Sequence, residues 1–357
     1  MSPAFCAIEE RELSVKILII LTGGTIGSRT SENVINVSSA AAYNLIKLYQ
    51  DKYGTDTEFE VIQPMNILSE NLMPAYWTTL CDCLDQVEFE NYDGIIITHG
   101  SDTLSYTAAM LGLCYGYTTI PMVLIASNYE LQDPRSNGLA NFYNAVCLIR
   151  EKKVKGVFVI FQNDRKENIV YLPTRLKEAD TYLDQFSSYG RVDFGRVKDG
   201  HFEAIVHRQN PTLEELNEPK EQKVIRNGTF EKGILFIHSY PGLDYSSILL
   251  NDHIGAILLS TYHSSTVCGG VGKYPVVEFV KKCRETGIEV YAATFKPVKD
   301  LYATSAELLH AGAIPLVNIS TEAAYAKLVL AYNQHTMDAK KFMNENIYYE
   351  ILPPLSV

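Results

Sequence analysis

The sequence predicts an α/β protein built from two doubly wound parts, a larger N-terminal part with a mostly parallel sheet and a smaller C-terminal part with a parallel sheet. Three observations predict it. Short aliphatic runs at 15–21, 94–98, 122–126 and 156–161 alternate with stretches of helical spacing, the rhythm of strand–helix–strand units. The 357 residues exceed what one hydrophobic core usually organises, ~250–300 residues. The stretch 210–227 is charged, holds Pro211 and Pro219 and has few apolar residues, and the α/β rhythm resumes beyond it. The expected division is 1–209, a linker over 210–232, and 233–357.

The elements follow in order. Residues 15–21, VKILIIL, are β-prone and continuously aliphatic, as a strand buried on both faces requires. A tight turn of two glycines between two threonines, Thr22 to Thr25, ends the strand, and Ile26 and Gly27 lead into a polar stretch, 28–38, read as a loop. Helical spacing returns over 39–53 through Leu45, Leu48 and Tyr49. A short strand at 59–62 and a loop at 66–74 precede a helix at 75–89, with Trp77, Leu80, Leu84 and Val87 at three- and four-residue steps. The strand at 94–98, the helix at 104–115, the strand at 122–126, the helix at 141–152 and the strand at 156–161 continue the pattern. Another strand is expected at 169–172, and 191–207 reads as a hairpin turning at Asp199-Gly200. In the C-terminal part, strands are expected at 233–237, 255–259, 289–293 and 314–317, and helices at 275–286, 304–311 and 321–334.

Composition narrows the function. A net charge of −11 with no polybasic run argues against sequence-independent binding of nucleic acid. The first 16 residues hold no basic head followed by an apolar stretch, so no secretory signal is expected. No apolar run approaches the ~20 residues of a membrane span. Seven scattered cysteines without a C-x-x-C pair argue against a disulfide framework or a structural zinc site, and point to a reducing cytoplasm.

Two stretches carry the chemistry. In an open α/β sheet, ligands bind beyond the carboxyl ends of the strands, where the turn after 15–21 falls. That turn, TGGTIG, is not the G-x-G-x-x-G of a dinucleotide site and lacks the lysine of a phosphate loop. It is either a plain strand-to-loop turn or a place where Gly23 and Gly24 admit a substrate and Thr25 offers a hydroxyl nucleophile. The second stretch, 93–104, reads DGIIITHGSDTL and puts His99, Ser101 and Asp102 at the carboxyl end of a buried strand. It is not a G-x-S-x-G nucleophile elbow, because Thr103 stands where the last glycine belongs. Ser101 and Asp102 either hold a charged substrate and move a proton or cap the helix that follows.

Together the two stretches resemble the two signatures of the bacterial-type L-asparaginase family, Thr22-Gly23-Gly24-Thr25-Ile26 for the first and His99-Gly100-Ser101-Asp102-Thr103-Leu104 for the second. Weaker likeness covers nearly the whole chain: Ser69, eight residues before Trp77, the segment 134–138 with Asn141, and Thr321-Glu322-Ala323-Ala324 with Lys327-Leu328. The family also places a lysine nine residues before a phenylalanine, the spacing of Lys177 and Phe186.

The resemblance implies a two-domain amidohydrolase that converts L-asparagine to L-aspartate and ammonia. It implies Thr25 as nucleophile, with Ser101, Asp102 and Lys177 as a proton-passing set. Ser69, Glu70, Gly24 and Gly100 are implied as substrate-binding residues, and backbone N–H groups near Gly24 and Ser101 as the oxyanion hole. It implies no cofactor and no metal, a homodimer or homotetramer, and no nucleic-acid or membrane partner. Lys177→Met is expected to lower kcat ~10²–10⁴-fold with little loss of stability, and Arg175, equally basic and two residues away, is expected to matter much less. The sequence departs from the family in four places. Ser101 stands where threonine is usual, Leu68 where aspartate is usual, and no tyrosine lies near Val34 in the loop after the first signature. Around 262–268 and 294–299, neither the acidic nor the asparagine pattern that serves a neighbouring subunit is found. The alternatives are a glutaminase, an amidotransferase component acting on a tRNA-linked amide, and a catalytically weakened homologue that senses amino acids.

Overall fold

The computed structural model describes residues 14–24, 28–31, 34–37, 39–268, 275–297, 300–334 and 338–354, with the backbone alone for 28–31, 34–37 and 39–42. The chain opens with β1 (Val15–Leu21), a pair of short strands β2 (Ser28–Ser31) and β3 (Val34–Val37), helix α1 (Ser39–Tyr53) and β4 (Thr57–Ile62). Helix α2 (Pro74–Leu84) leads to β5 (Gly94–Thr98), α3 (Leu104–Tyr115), β6 (Pro121–Ile125), α4 (Gly138–Glu151) and β7 (Gly156–Gln162). Antiparallel strands β8 (Asn168–Tyr171), β9 (Gly195–Lys198) and β10 (His201–Ala204) complete an eight-stranded sheet of order β10-β9-β8-β7-β6-β5-β1-β4, parallel from β7 to β4.

After the short helix α5 (Leu213–Asn217), β11 (Gly233–His238), β12 (Ile254–Ser260), α6 (Val276–Glu285), β13 (Glu289–Phe295), α7 (Ala303–Ala311) and β14 (Ile314–Val317) build a second, four-stranded parallel sheet in sequence order. Helices α8 (Thr321–Asn333) and α9 (Ala339–Asn344) close the chain. Among the described residues, no helix is long and apolar enough to cross a membrane.

One core joins the two sheets. It holds Leu18, Ile20, Ile95 and Ile97 of the large sheet, nearly all of α3, the inner face of α8, and Ala256, Leu258 and Tyr291 of the small sheet. In α3 every residue except Tyr106 is buried, and the apolar composition runs all round the helix, as a position between two sheets requires. The other face of the large sheet packs on α1 and α4, and the other face of the small sheet on α6 and α7. The β1–β5 register pairs Ile17 with Gly94 and Leu21 with Thr98, so Thr22 and His99 leave the sheet side by side.

The structure departs from the sequence expectations in four places. The stretch read as a loop at 28–38 contains the β2–β3 pair, in keeping with the β-branched Val34, Ile35 and Val37. Helix α2 stops at Leu84 rather than running to 89, and residues Phe89–Asn91 form a separate 3-10 turn. Within 210–232 lies α5, fixed by a capping box in which Thr212 and Glu215 satisfy each other's backbone N–H groups, with Leu216 buried beneath it. Finally, α4 starts at Gly138, three residues earlier than expected.

Candidate active site

Three backbone segments are pressed together at the carboxyl edge of β1 and β5. Thr22 is buried, and its hydroxyl donates to the Thr98 carbonyl at 2.8 Å, so it joins the two strand ends rather than facing a substrate. The Ile67 N–H donates to Thr22 O at 3.0 Å, and the Gly24 N–H donates to Ile67 O at 3.2 Å. Gly23 and Gly24 have φ of +117° and +80°, a backbone region that favours glycine. A Cβ on Gly24 would sit 2.5 Å from the Gly100 nitrogen, and one on Gly100 would sit 2.3 Å from Ser69 Oγ. Gly24, Gly100 and Ser69 are therefore in direct contact, and neither glycine tolerates a side chain. Thr25, which follows Gly24, lies outside the described residues.

The second signature is held from below by a buried chain of hydrogen bonds. The His99 ring lies 2.8 Å from Gly100 O through Nδ1 and 3.0 Å from Thr107 Oγ1 through Nε2, and the Trp77 indole donates to Thr107 Oγ1 at 2.9 Å. A carbonyl can only accept, so Nδ1 carries the proton and Nε2 accepts from the threonine. Burial pushes the His99 pKa down, against the opposing bond to Gly100. His99 is thus a neutral brace for the Gly100 carbonyl.

Asp102 is exposed and accepts the Ser69 hydroxyl at 3.3 Å. Thr103 donates to the Ser69 carbonyl at 3.0 Å. Helix α3 has Thr103 at its N-cap without a side-chain capping bond. The capping explanation for Ser101 and Asp102 is therefore not realised, and Asp102 points its carboxylate at Ser69 instead. Ser101 is half-buried, and its N–H makes no hydrogen bond among the described residues. The Gly24 N–H, by contrast, donates to Ile67 O. Glu70 sits next to Ser69 in the 3-10 turn Ser69–Asn71 with its side chain exposed.

Lys177 follows the 3-10 turn Pro173–Arg175 and starts a loop tied back on itself by the Lys177 N–H to Ser187 O bond and by Phe186, which packs edge-on against Phe161. Its ammonium lies 2.8 Å from Glu322 Oε1 and 2.9 Å from Oε2, with Thr321 Oγ1 at 3.3 Å. No hydrogen bond joins it to Ser101 among the described residues. The loop is still anchored beside the start of α3, because Tyr106 donates to the carboxylate of Glu178. Arg175 is no neutral control for Lys177. It is buried, donates to the carbonyls of Tyr349 and Gln209 at 2.6 Å each, and has its pKa lowered to about 10 by burial. An apolar pocket of ≈ 300 Å³ opens next to Thr103 and is lined by Trp77, Tyr106, Ile234, Phe236 and Tyr325, but Ser69, Ser101, Asp102 and Lys177 do not line it.

The structure thus brings Gly24, Gly100, Ser69 and Asp102 together and sets Lys177 on Glu322. Sequence reasoning quoted Glu322 and Thr103 without giving either a role, and overlooked Tyr106. The signal available for Glu322 was an acidic residue at the start of a helix that is otherwise apolar over 323–331 apart from Lys327.

The family model described as "Asparaginase, N-terminal" matches residues 16–210, more than half of the chain. Among curated proteins, a component of the glutamyl-tRNA(Gln) amidotransferase of Methanococcus maripaludis is 28% identical over 362 aligned positions, covering 96% of this chain and 82% of that protein. The protein of the same name from Saccharolobus islandicus is 26% identical, covering 95% of this chain and 76% of that protein. Among solved structures, the thermostable L-asparaginase from Thermococcus kodakarensis superposes with a TM-score of 0.75 at 26% identity, over 94% of this chain and 99% of that one. L-asparaginase I from Vibrio cholerae shares the fold, with a TM-score of 0.72 at 22% identity over 95% of this chain and 99% of that one. The chain belongs to the asparaginase family.

Proposed function

We propose that the protein is an amidohydrolase that cleaves the side-chain amide of L-asparagine to L-aspartate and ammonia through an acyl-enzyme on Thr25. The observation that carries this reading is the meeting of Gly24, Gly100, Ser69 and Asp102 at one sheet edge. In the first step the Thr25 hydroxyl oxygen adds to the amide carbon, its proton passes to the departing nitrogen, and ammonia leaves. In the second, water adds to the ester carbon and aspartate departs as the threonine hydroxyl is restored. Ser101, Lys177 and Asp102 relay the protons, and the Ser101 N–H supports the oxyanion. Ser69, Asp102 and Glu70 face the substrate's ammonium and carboxylate. The active unit is a homodimer or homotetramer in the cytoplasm, with residues 1–209 carrying most of the site and residues 233–357 lending Glu322.

The test is ammonia release by the purified protein from L-asparagine, D-asparagine and L-glutamine, with Thr25→Ala alongside. Thr25→Ala is expected to abolish turnover in a folded protein. Retention of more than about a tenth of wild-type kcat, a loss under ~1.4 kcal/mol, would remove Thr25 from the role. A second reading is favoured by the curated relatives, which are named as components of a glutamyl-tRNA(Gln) amidotransferase. On that reading glutamine is the amide cleaved, and the ammonia goes to a tRNA-linked acyl group held by a partner protein. Faster release from glutamine than from asparagine would select it.

A further inference from the structure

Glu322 stands in the first turn of α8, on the small-sheet half, and Lys177 on the large-sheet half. The Glu322 side chain is 3% exposed, whereas Lys177 keeps 35%. A carboxylate taken so far out of water must be paired and hydrogen-bonded, and this one is. Oε1 receives the Lys177 ammonium at 2.8 Å and the Glu178 N–H at 3.0 Å. Oε2 receives Lys177 at 2.9 Å and the Thr321 hydroxyl at 3.0 Å. Capping of α8 is done by Ser320, whose hydroxyl accepts the Ala323 N–H at 3.1 Å, so Glu322 is not needed for it. Three of these four bonds to Glu322 come from Lys177 or from the residue after it.

We propose that Glu322 is a positioning residue for the Lys177 ammonium, holding it at the junction of the two halves. The proposal rests on the amidohydrolase reading, in which Lys177 passes protons. Other ionisable groups face the same spot. Glu178, on the lysine's own loop, has its carboxylate taken by the Tyr106 hydroxyl of α3. Tyr189 interacts with Thr294 and feels Glu322, and Tyr325 of α8 stands near Tyr106. Among the described residues, only Glu322 pairs its charge with the ammonium.

The experiment is Glu322→Gln, which keeps the shape and an accepting oxygen but removes the charge. The kcat should fall by about 10–100-fold, less than the ~10²–10⁴-fold typical of removing an acid–base group itself, with KM unchanged. In a Lys177→Met background, Glu322→Gln should cost no further activity. A readout independent of turnover is the carbon-13 signal of reductively methylated Lys177, assigned by its loss in Lys177→Arg, which should move at pH 7 in Glu322→Gln because the ammonium no longer rests on a carboxylate. Should Glu322→Gln not fold, Glu322→Asp, which draws the charge back by one methylene, should move the signal part of the way. An unmoved signal, or additive losses in the double variant, overturns the proposal. A signal that moves in Glu322→Gln, when the wild-type protein hydrolyses none of the three amides, overturns the amidohydrolase reading and leaves the pairing of Glu322 with Lys177 supported.

Discussion

Helix α8 carries two charged pairs five residues apart, and they lie in opposite environments. Five residues turn an α-helix by about 140°, so Glu322 and Lys327 leave on different sides. Glu322 reaches Lys177 on the large-sheet half, and that lysine stays one-third in solvent. Lys327 reaches Glu350 at 2.7 Å with both side chains fully buried. Its ammonium also donates to the carbonyl of Glu345, and Glu350 accepts the N–H groups of Ile347 and Tyr348 at 2.8 and 2.7 Å. Burial pushes the Lys327 pKa down while Glu350 pushes it back up. A sealed pair with these donors and acceptors filled fastens the chain's C-terminal segment to the core. Under the proposed function, a pair with one end in water is the one that exchanges a proton with the substrate. Sequence alone shows a Glu and a Lys in one apolar helix and cannot say which is which.

The strongest way to break this comparison is Lys177→Met. Under the proposed function kcat should fall ~10²–10⁴-fold. The little loss of stability expected from the sequence needs revision, because Met leaves the Glu322 carboxylate buried without its cation. A buried group left unsatisfied costs about 1–3 kcal/mol, readable as a shift in the urea midpoint. Wild-type kcat with only the stability loss would make the two pairs alike, both structural.

Lys327→Met is the converse. Removing one partner of a buried ion pair leaves the other uncompensated and typically costs ~3–5 kcal/mol. The folded fraction should keep the wild-type kcat, because Lys327 lies among Phe342, Met343 and Glu350 rather than at the site. Destabilisation under ~1 kcal/mol would mean that the C-terminal segment is held by its other contacts, such as the Tyr348 hydroxyl on the Val157 N–H at 3.0 Å.

Much of the fold was legible because parallel strands buried on both faces must be aliphatic runs, and Ile95, Ile96 and Ile97 could scarcely be anything else. The glycines of the two signatures were legible for a similar reason, since a close approach of two backbones excludes other residues. The partners of those residues were not. Lys177 and Glu322 are 145 residues apart, and nothing local in either segment encodes the other. Arg175 looked like Lys177 in composition, yet its carbonyl partners, Gln209 and Tyr349, arrive from distant segments. The capping box at Thr212 and Glu215 was present in the sequence, but Pro211 and Pro219 on either side made the stretch read as a linker.

The smallest expected effect concerns a third buried charge-capable group, His99, which differs from both pairs in having no counter-ion among the described residues. Its ring is neutral, with one nitrogen donating to Gly100 O and the other accepting from Thr107. Protonation would give it two N–H groups. The second would then face a Thr107 oxygen that already accepts the Trp77 indole N–H, and the threonine's own proton would lose its acceptor. Because burial lowers the folded-state pKa below the ordinary value of 6.5, the unfolded chain binds this proton more readily. His99 therefore contributes stability that is fully present above pH ~6.5 and is lost as pH falls through the lower folded-state value, at no more than ~1.4 kcal/mol per pH unit. Urea midpoints of wild type and His99→Gln, followed from pH 7.5 to 5, should converge as the pH falls, because only the wild type loses this term. A constant difference between the two would mean that His99 titrates alike in the folded and unfolded chain.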